Sequence, residues 1–286
     1  AFQQEIITDL AEINKQPTTN NQKPKTKNQV KIKLRIHKDA YFQKIQTILN
    51  HIHRGNIYEV NFCQEFYSEN SIINPIDIYK NLNKISKPPF ATFLKHNDTF
   101  LISASPERYL KKEGNSVISQ PIKGTEKRAF NKEEDFKLIK ELEQNPKERA
   151  ENIMIVDLVR NDLSRSAIKG SVKVDELCKV YTFEQVHQLI STVSCSVKDT
   201  IHPVDIIKDT FPMGSMTGAP KISALKIIEE LEETKRGVYS GAVGYFTPNN
   251  NFDFNVVIRS ILYNAKNKYV SFSVGGDFRI MSARAF

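Results

Sequence analysis

Apolar residues return at steps of three and four from Tyr41 onward. Phe42, Ile45, Ile48, Leu49 and Ile52 predict an amphipathic helix that Gly55 closes. A strand-like run, Ile57 to Phe66, follows, and Asp135 to Leu142 reads as a second helix halted near Pro146. Ala150 to Leu163 is apolar on all sides, which predicts a helix sunk in the core rather than laid on the surface. Pro220 is a favourable first-turn residue for a further helix with Ile222, Leu225, Ile228 and Leu231 on one stripe, its end marked by Lys235-Arg236-Gly237. Three strand candidates come next: Val238 to Phe246, Phe252 to Tyr263 and Lys268 to Val274. The turns at Pro248-Asn249-Asn250 and Asn264-Ala265-Lys266-Asn267 separate them, which predicts an antiparallel meander. Elements in runs rather than in strict alternation argue for an α+β fold with antiparallel β-sheets packed together and helices outside.

The polar stretch Asn14 to Lys31 cannot bury enough apolar surface to order itself and reads as a mobile loop or linker. Phe2 to Ile13 ahead of it reads as a remnant helix or strand. The expected organisation is therefore residues 1–40 as an N-terminal remnant and flexible linker, and residues 41–286 as one catalytic domain. No internal repeat is detectable. The three cysteines, Cys63, Cys178 and Cys195, are scattered and not in metal spacing, which fits a reduced, cytoplasmic setting. No apolar run approaches the roughly 20 residues of a membrane span, and the first residues carry no signal-peptide pattern, so no membrane association is expected. The formal net charge of +8 is the one skew. With no RNA-sheet aromatic motif, zinc finger or helix-turn-helix signature, solvated lysines or an anionic small substrate explain it better than nucleic acid.

Several polar clusters sit in or beside apolar runs, where ionisable groups are costly unless partnered or functional. Lys123, in the short loop Ser119-Gln120-Pro121-Ile122-Lys123-Gly124-Thr125, is either a solvated loop residue or a nucleophile whose amine is made reactive by burial. Glu107, in Ala104-Ser105-Pro106-Glu107-Arg108, is either a surface ion-pair partner of Arg108 or a general acid kept partly protonated by a site of low polarity. Glu151 opens the apolar helix. It is either a first-turn acid favoured by the helix dipole or a hard oxygen ligand for Mg²⁺. Asp157 and Asp162 in the same helix are either further metal ligands or, the preferred reading, structural residues pairing with Arg160, Arg165 or backbone amides. Gly214 to Lys221 is a loop opening onto a helix, where free amides suit an anion, although the phosphate-loop spacing is absent. Arg259 among Val256, Val257 and Ile258 needs an anion such as a carboxylate, and Tyr245 is expected to project from a neighbouring strand. His187 is equally a satisfied core histidine or a substrate contact.

In order along the chain stand Ser103-Ala104-Ser105-Pro106-Glu107-Arg108, Gln120-Pro121-Ile122-Lys123-Gly124-Thr125, the run RAENIMIVDLVRND at 149–162, FEQVHQLISTV at 183–193, FPMGSMTGAPK at 211–221, RGVYSGAVGY at 236–245 and VVIRS at 256–260. Together, from about Tyr41 to Gly276, this series resembles the chorismate-utilising enzymes: anthranilate, aminodeoxychorismate, isochorismate and salicylate synthases. The resemblance implies an anthranilate synthase component I-like fold. Two positions choose the branch. The large component of aminodeoxychorismate synthase carries a lysine in the Pro-Ile-Lys-Gly-Thr motif, where anthranilate synthases carry alanine. The isochorismate and salicylate branch has instead a water-activating lysine at the position of Glu59.

What the resemblance implies for chemistry is an allylic displacement of the chorismate C4 hydroxyl. Lys123 would add at ring carbon C2 while Glu107 protonates the departing hydroxyl, and ammonia would then displace the lysine by attack at C4 to give 4-amino-4-deoxychorismate, an intermediate on the way to para-aminobenzoate and folate. Mg²⁺ held by Glu151 would anchor the ring carboxylate. Tyr245, Arg259 and the amides of Gly275 and Gly276 would hold the pyruvyl carboxylate, with His187, Thr217 and Ala219 as further substrate contacts. Ammonia would come from a separate glutamine amidotransferase subunit, since no glutaminase sequence is present. Family members place a second metal-ligand glutamate and a substrate lysine after the double glycine. Here Gly276 runs into Asp277-Phe278-Arg279 and no glutamate follows. Missing residues at that junction or impaired Mg²⁺ binding are the two expectations, and the alternatives to amination at C4 are anthranilate synthase component I and a catalytically impaired chorismate-binding relative.

Overall fold

The computed structural model describes residues Val30 to Arg279. The segment Phe2 to Ile13 and nearly all of the polar stretch after it lie outside the described residues. Among the described residues there are six α-helices and two seven-stranded sheets with all strand pairs antiparallel. This is the α+β arrangement the pattern predicts. The strands are β1 (Lys33–Leu34), β2 (Glu59–Ser68), β3 (Phe90–His96), β4 (Thr99–Ser105), β5 (Arg108–Glu113), β6 (Ser116–Gln120), β7 (Ile122–Lys127), β8 (Lys173–Thr182), β9 (Val186–Ser196), β10 (Gly218–Ala219), β11 (Ala242–Phe246), β12 (Phe252–Val256), β13 (Ser260–Asn264) and β14 (Tyr269–Arg279). The helices are α1 (Lys38–His53), α2 (Pro75–Ser86), α3 (Lys132–Gln144), α4 (Pro146–Ser164), α5 (Pro203–Thr210) and α6 (Lys221–Leu231).

The first sheet runs β1-β2-β14-β13-β4-β3, with β10 also paired to β2; the second runs β11-β12-β5-β6-β9-β7, with β8 paired to β9. Helix α1 buries Ile45, Ile48, Leu49 and Ile52, the three-and-four stripe, against Val60 and Phe62 of β2 and against Ala224, Ile227, Ile228 and Leu231 of α6. A second cluster joins Ile155, Val156, Val159 and Leu163 of α4 and Ile206 of α5 to Leu110, Val117, Val193 and Val256 of the second sheet. The body starts ahead of residue 41: Lys33 and Leu34 pair with β2, Ile36 is buried, and α1 begins at Lys38. The expected boundary between a linker and the domain at residues 40 and 41 therefore falls inside the folded body.

Three local expectations are corrected. Helix α4 is not buried all round. Glu151, Asn152, Ile155, Val156, Val159, Asp162 and Leu163 form one buried face, while Ile153, Asp157, Arg160 and Asn161 lie exposed. The stripe of α6 is Ala224, Ile227, Ile228 and Leu231, and Ile222 is exposed. That helix also stops at Leu231, because Glu232 is used to bind the Arg236 guanidinium, which in turn donates to the carbonyls of Asn61 and Met216. Finally, the run Phe252 to Tyr263 is two strands in two sheets, so no single meander exists. Residues Val257 to Arg259 cross between the sheets, Arg259 at φ 51, and Ala104 N–H bonds the Arg259 carbonyl at 3.0 Å as β13 docks beside β4. The run reads as continuous because Val256, Val257 and Ile258 carry the apolar pattern up to the crossing and no glycine or proline marks it.

Candidate active site

Lys123 lies on β7 rather than in a loop. The strand pairs with β9, and Asn152 of α4 braces it, donating from Nδ2 to the carbonyls of Leu189 at 3.0 Å and of Lys123 at 3.4 Å. Asn145 sets that helix start: it accepts from the amides of Lys147 and Glu148 and precedes Pro146, the N-cap and first-turn proline pattern. Next to the lysine, Gly124 takes φ 92, and a Cβ there would press on Leu189 and Glu148 at 3.2 to 3.3 Å. The Lys123 side chain is only 11% exposed, and its Nζ donates to Asp277 and lies 3.7 Å from Glu59 Oε1. Asp277 is steered by Asn61, its cross-strand neighbour, whose Nδ2 donates to Oδ1 at 2.7 Å.

Glu107 occupies the corner between β4 and β5. The Ser105 hydroxyl accepts its amide at 3.2 Å and its carbonyl takes the amide of Val256 at 3.0 Å, so both sheets fix the corner. Burial pushes the carboxyl up to about 7, against opposing contributions from the Ser215 hydroxyl, the Lys123 ammonium and the Ile122 backbone. Glu107 and Lys123 both line one cavity of ≈ 810 Å³, walled by Ile122 to Thr125 and Gln188 of the second sheet and by Asn61, Ser260 and Phe272 to Gly275 of the first. Arg259 and Asp277 line it too. A volume of this order suits a small-molecule ligand.

The other expected site residues are distributed differently. Gly275 reaches the cavity wall, where its missing side chain leaves room for the Asn61 amide, while Gly276 is not among the lining residues. His187 is a satisfied core histidine on β9. Its Nε2 meets Asp135 at 2.9 Å and its Nδ1 meets the Thr182 hydroxyl at 2.9 Å, which leaves neither nitrogen for a substrate. Thr217 is buried with its hydroxyl donating to the carbonyls of Met213 and Gly214, and it lines a second cavity of ≈ 420 Å³ near the end of α6. Ala219 is taken up in β10, paired with β2 opposite Glu59. Tyr245 is 61% exposed on β11 and is not among the residues that line the cavity. Asp157 pairs with Arg160 on the surface, and Asp162 binds Lys221 at 2.6 Å rather than Arg165.

Glu151 is buried, and its Oε2 lies 3.0 Å from Arg279 Nη2. Its Oε1 has no hydrogen-bond partner among the described residues, and burial raises its carboxyl despite the arginine. Glu148, which the sequence reading passed over, stands one helical turn earlier on the same side and adds its repulsion to that rise. The Glu-x-x-Glu spacing was the signal, since residues three apart share a helix face. No cluster of three or more acidic, histidine or cysteine ligands occurs among the described residues. Mg²⁺ keeps much of its water and is held by one or two carboxylates, so an unpartnered buried carboxylate oxygen with a second acid beside it fits such an ion. Glu59 is likewise buried with its carboxyl raised by that burial and its Oε2 unpartnered among the described residues.

Residues 2–282 match the family model of the chorismate binding enzymes, and the chain belongs to that family. The aminodeoxychorismate synthase component 1 of Escherichia coli (strain K12) is 38% identical over 239 residues, covering 84% of this chain and 52% of the relative. The anthranilate synthase component 1 of Saccharolobus solfataricus is 38% identical over 229 residues, covering 80% of this chain and 54% of the relative. Among solved structures, anthranilate synthase component I from Streptococcus pneumoniae superposes with a TM-score of 0.81 at 30% identity, covering 96% of this chain and 60% of that one. The chain thus spans about half the length of the curated relatives it matches. No described helix is long and apolar enough to cross a membrane.

Proposed function

We propose that this chain carries the catalytic site of an aminodeoxychorismate synthase component I, replacing the C4 hydroxyl of chorismate by an amino group. The observation that carries the reading is the placement of Lys123 and Glu107, both about nine-tenths buried, on the wall of one cavity. Relatives named for aminodeoxychorismate synthesis support it, and so does the lysine in the Pro-Ile-Lys-Gly-Thr motif.

The side chains divide the work. Lys123 gives a proton to its carboxylate partner Asp277 and, as the free amine, forms a bond to ring C2. Electrons shift through the ring and the C4–O bond breaks, and Asp277 returns the proton once the lysine is released. Glu107 gives its proton to that oxygen so that water leaves. Ammonia then bonds to C4, the C2–N bond breaks and the lysine returns as an amine. The surplus proton on the new nitrogen restores Glu107. Arg259 offers a bidentate fork to a substrate carboxylate. Glu151 with Glu148 would hold Mg²⁺, which when bound supplies positive charge against a substrate carboxylate. Glu59 stands where the isochorismate branch carries the lysine that activates water. Ammonia supply from a separate amidotransferase subunit is part of the proposal.

The test is product identity. Chorismate, ammonium and Mg²⁺ are incubated with the protein, with and without an added lyase that removes pyruvate. Para-aminobenzoate appearing only with the lyase is the expected result; anthranilate, or no turnover, refutes the reading.

A further inference from the structure

Strand β14 pairs with β2 through ten successive residues, opposing Asp277 to Asn61 and Arg279 to Glu59. Residues two apart on a strand project to the same face. Asp277 meets the Lys123 ammonium there, and Arg279 meets the Glu151 carboxylate, so the end of the strand supplies each half of the charge machinery with an internal partner of opposite sign. Both members of the second pair are 7% exposed in their side chains. The pair is unfinished on each side: Glu151 Oε1 and Arg279 Nη1 have no partner among the described residues.

A buried carboxylate needs a cation, and the arginine now fills that need. A divalent ion on the same carboxylate brings two positive groups within a few ångströms of each other in a poorly solvated place, where repulsion is weakly screened. Glu148, Lys147 and Lys123 are the other charged groups acting on Glu151, and Glu59, itself beside Lys123 and Asp277, faces both members of the pair. None of them separates the guanidinium from Glu151.

We propose that Arg279 is an internal competitor for the cation place at Glu151, so that the guanidinium and a divalent metal ion hold that carboxylate in alternative states and metal loading releases the arginine. The inference rests on the reading of Glu151 as a metal ligand. The guanidinium stabilises the metal-free site, and it weakens metal affinity by negative coupling, which for two ligands of one protein is commonly about 5- to 150-fold.

Two measurements without chorismate test it. In calorimetric titrations with Mg²⁺, Arg279→Gln should bind at least about ten-fold more tightly than the unaltered protein, and Glu151→Gln should lose binding. Equal or weaker affinity in Arg279→Gln, or no binding by either protein, overturns the proposal. The second measurement needs no variant and so does not depend on its folding. Phenylglyoxal modification of Arg279, mapped by peptide mass spectrometry, should become faster when Mg²⁺ is added; an unchanged or slower rate overturns the proposal. Neither readout involves turnover, so failure of the competition leaves the assigned reaction standing, and a wrong assignment of product leaves the competition standing.

Discussion

Replacing Glu107 by Gln keeps the shape of the side chain and removes the proton it can give away. An ordinary glutamate, at 4.5, is protonated in roughly one molecule in 300 at pH 7. Glu107, raised by burial to about 7, is protonated in about half. The corner between β4 and β5 therefore keeps a donor available at neutral pH. A positioned general acid contributes about 10²- to 10⁴-fold, which is about 2.7 to 5.5 kcal/mol of barrier. Glu107→Gln should lower kcat by that factor with KM for chorismate changed by less than about three-fold, because the group acts on the leaving oxygen and not on the carboxylates that bind. The sign of the pH effect follows from the same shift. The acid must hold its proton, so the rate of the unaltered enzyme should fall as pH rises through about 7. In the variant that descending limb should disappear. Initial rates of chorismate consumption with ammonium and Mg²⁺, measured over roughly pH 6 to 9, show both effects. A variant with full kcat, or one that retains the limb, would refute the assignment of Glu107 as the acid.

Asn152→Ala should loosen the brace between α4 and β7. It leaves the Leu189 carbonyl and the Ser191 hydroxyl without their buried partner, a loss of about 2 kcal/mol or more, and Tm should fall by about 4 to 8 °C in a calorimetric scan. Asp135 is held well below the usual carboxylate range, first by the Arg128 side chain and then by His187 and the Ala129 amide. A depressed carboxyl contributes stability at pH above its unfolded value, near 4, and loses it as pH falls further. Urea midpoints should therefore drop on acidification below about pH 4, and Asp135→Asn should flatten that drop.

Much of the site was legible because its residues are polar intrusions into apolar sequence. Lys123, Glu107, Glu151 and Arg259 all stood out in this way. The stripe of α1 was legible for a related reason, since Ile45, Ile48, Leu49 and Ile52 face a single core. Beyond β11 and β12, the second sheet was hidden. Its strand Arg108–Glu113 carries Arg108, Lys111, Lys112 and Glu113 beside Tyr109 and Leu110, and half of β8 is polar in an irregular order, so neither alternates cleanly enough to announce a strand. The crossing at Val257 to Arg259 was hidden for another reason: Val256 to Ile258 carry the apolar pattern into it, and no glycine or proline marks the change of sheet. His187 misled because a conspicuous histidine in a strand looks the same whether it faces a ligand or Asp135. Thr217 and Tyr245 were carried by resemblance alone, and their places depend on β10 and on the switch between sheets, which no local pattern encodes.

Covalent participation of Lys123 is best tested by depriving the reaction of its second nucleophile. The protein is mixed with chorismate and Mg²⁺ without ammonium, quenched, and weighed intact, and its peptides are then mapped. The expected result is a mass increase equal to chorismate less one water, carried by the peptide containing Lys123 and absent from Lys123→Ala. An unmodified lysine in enzyme that nevertheless aminates chorismate at C4 once ammonium is restored, with Lys123→Ala equally active, would contradict it.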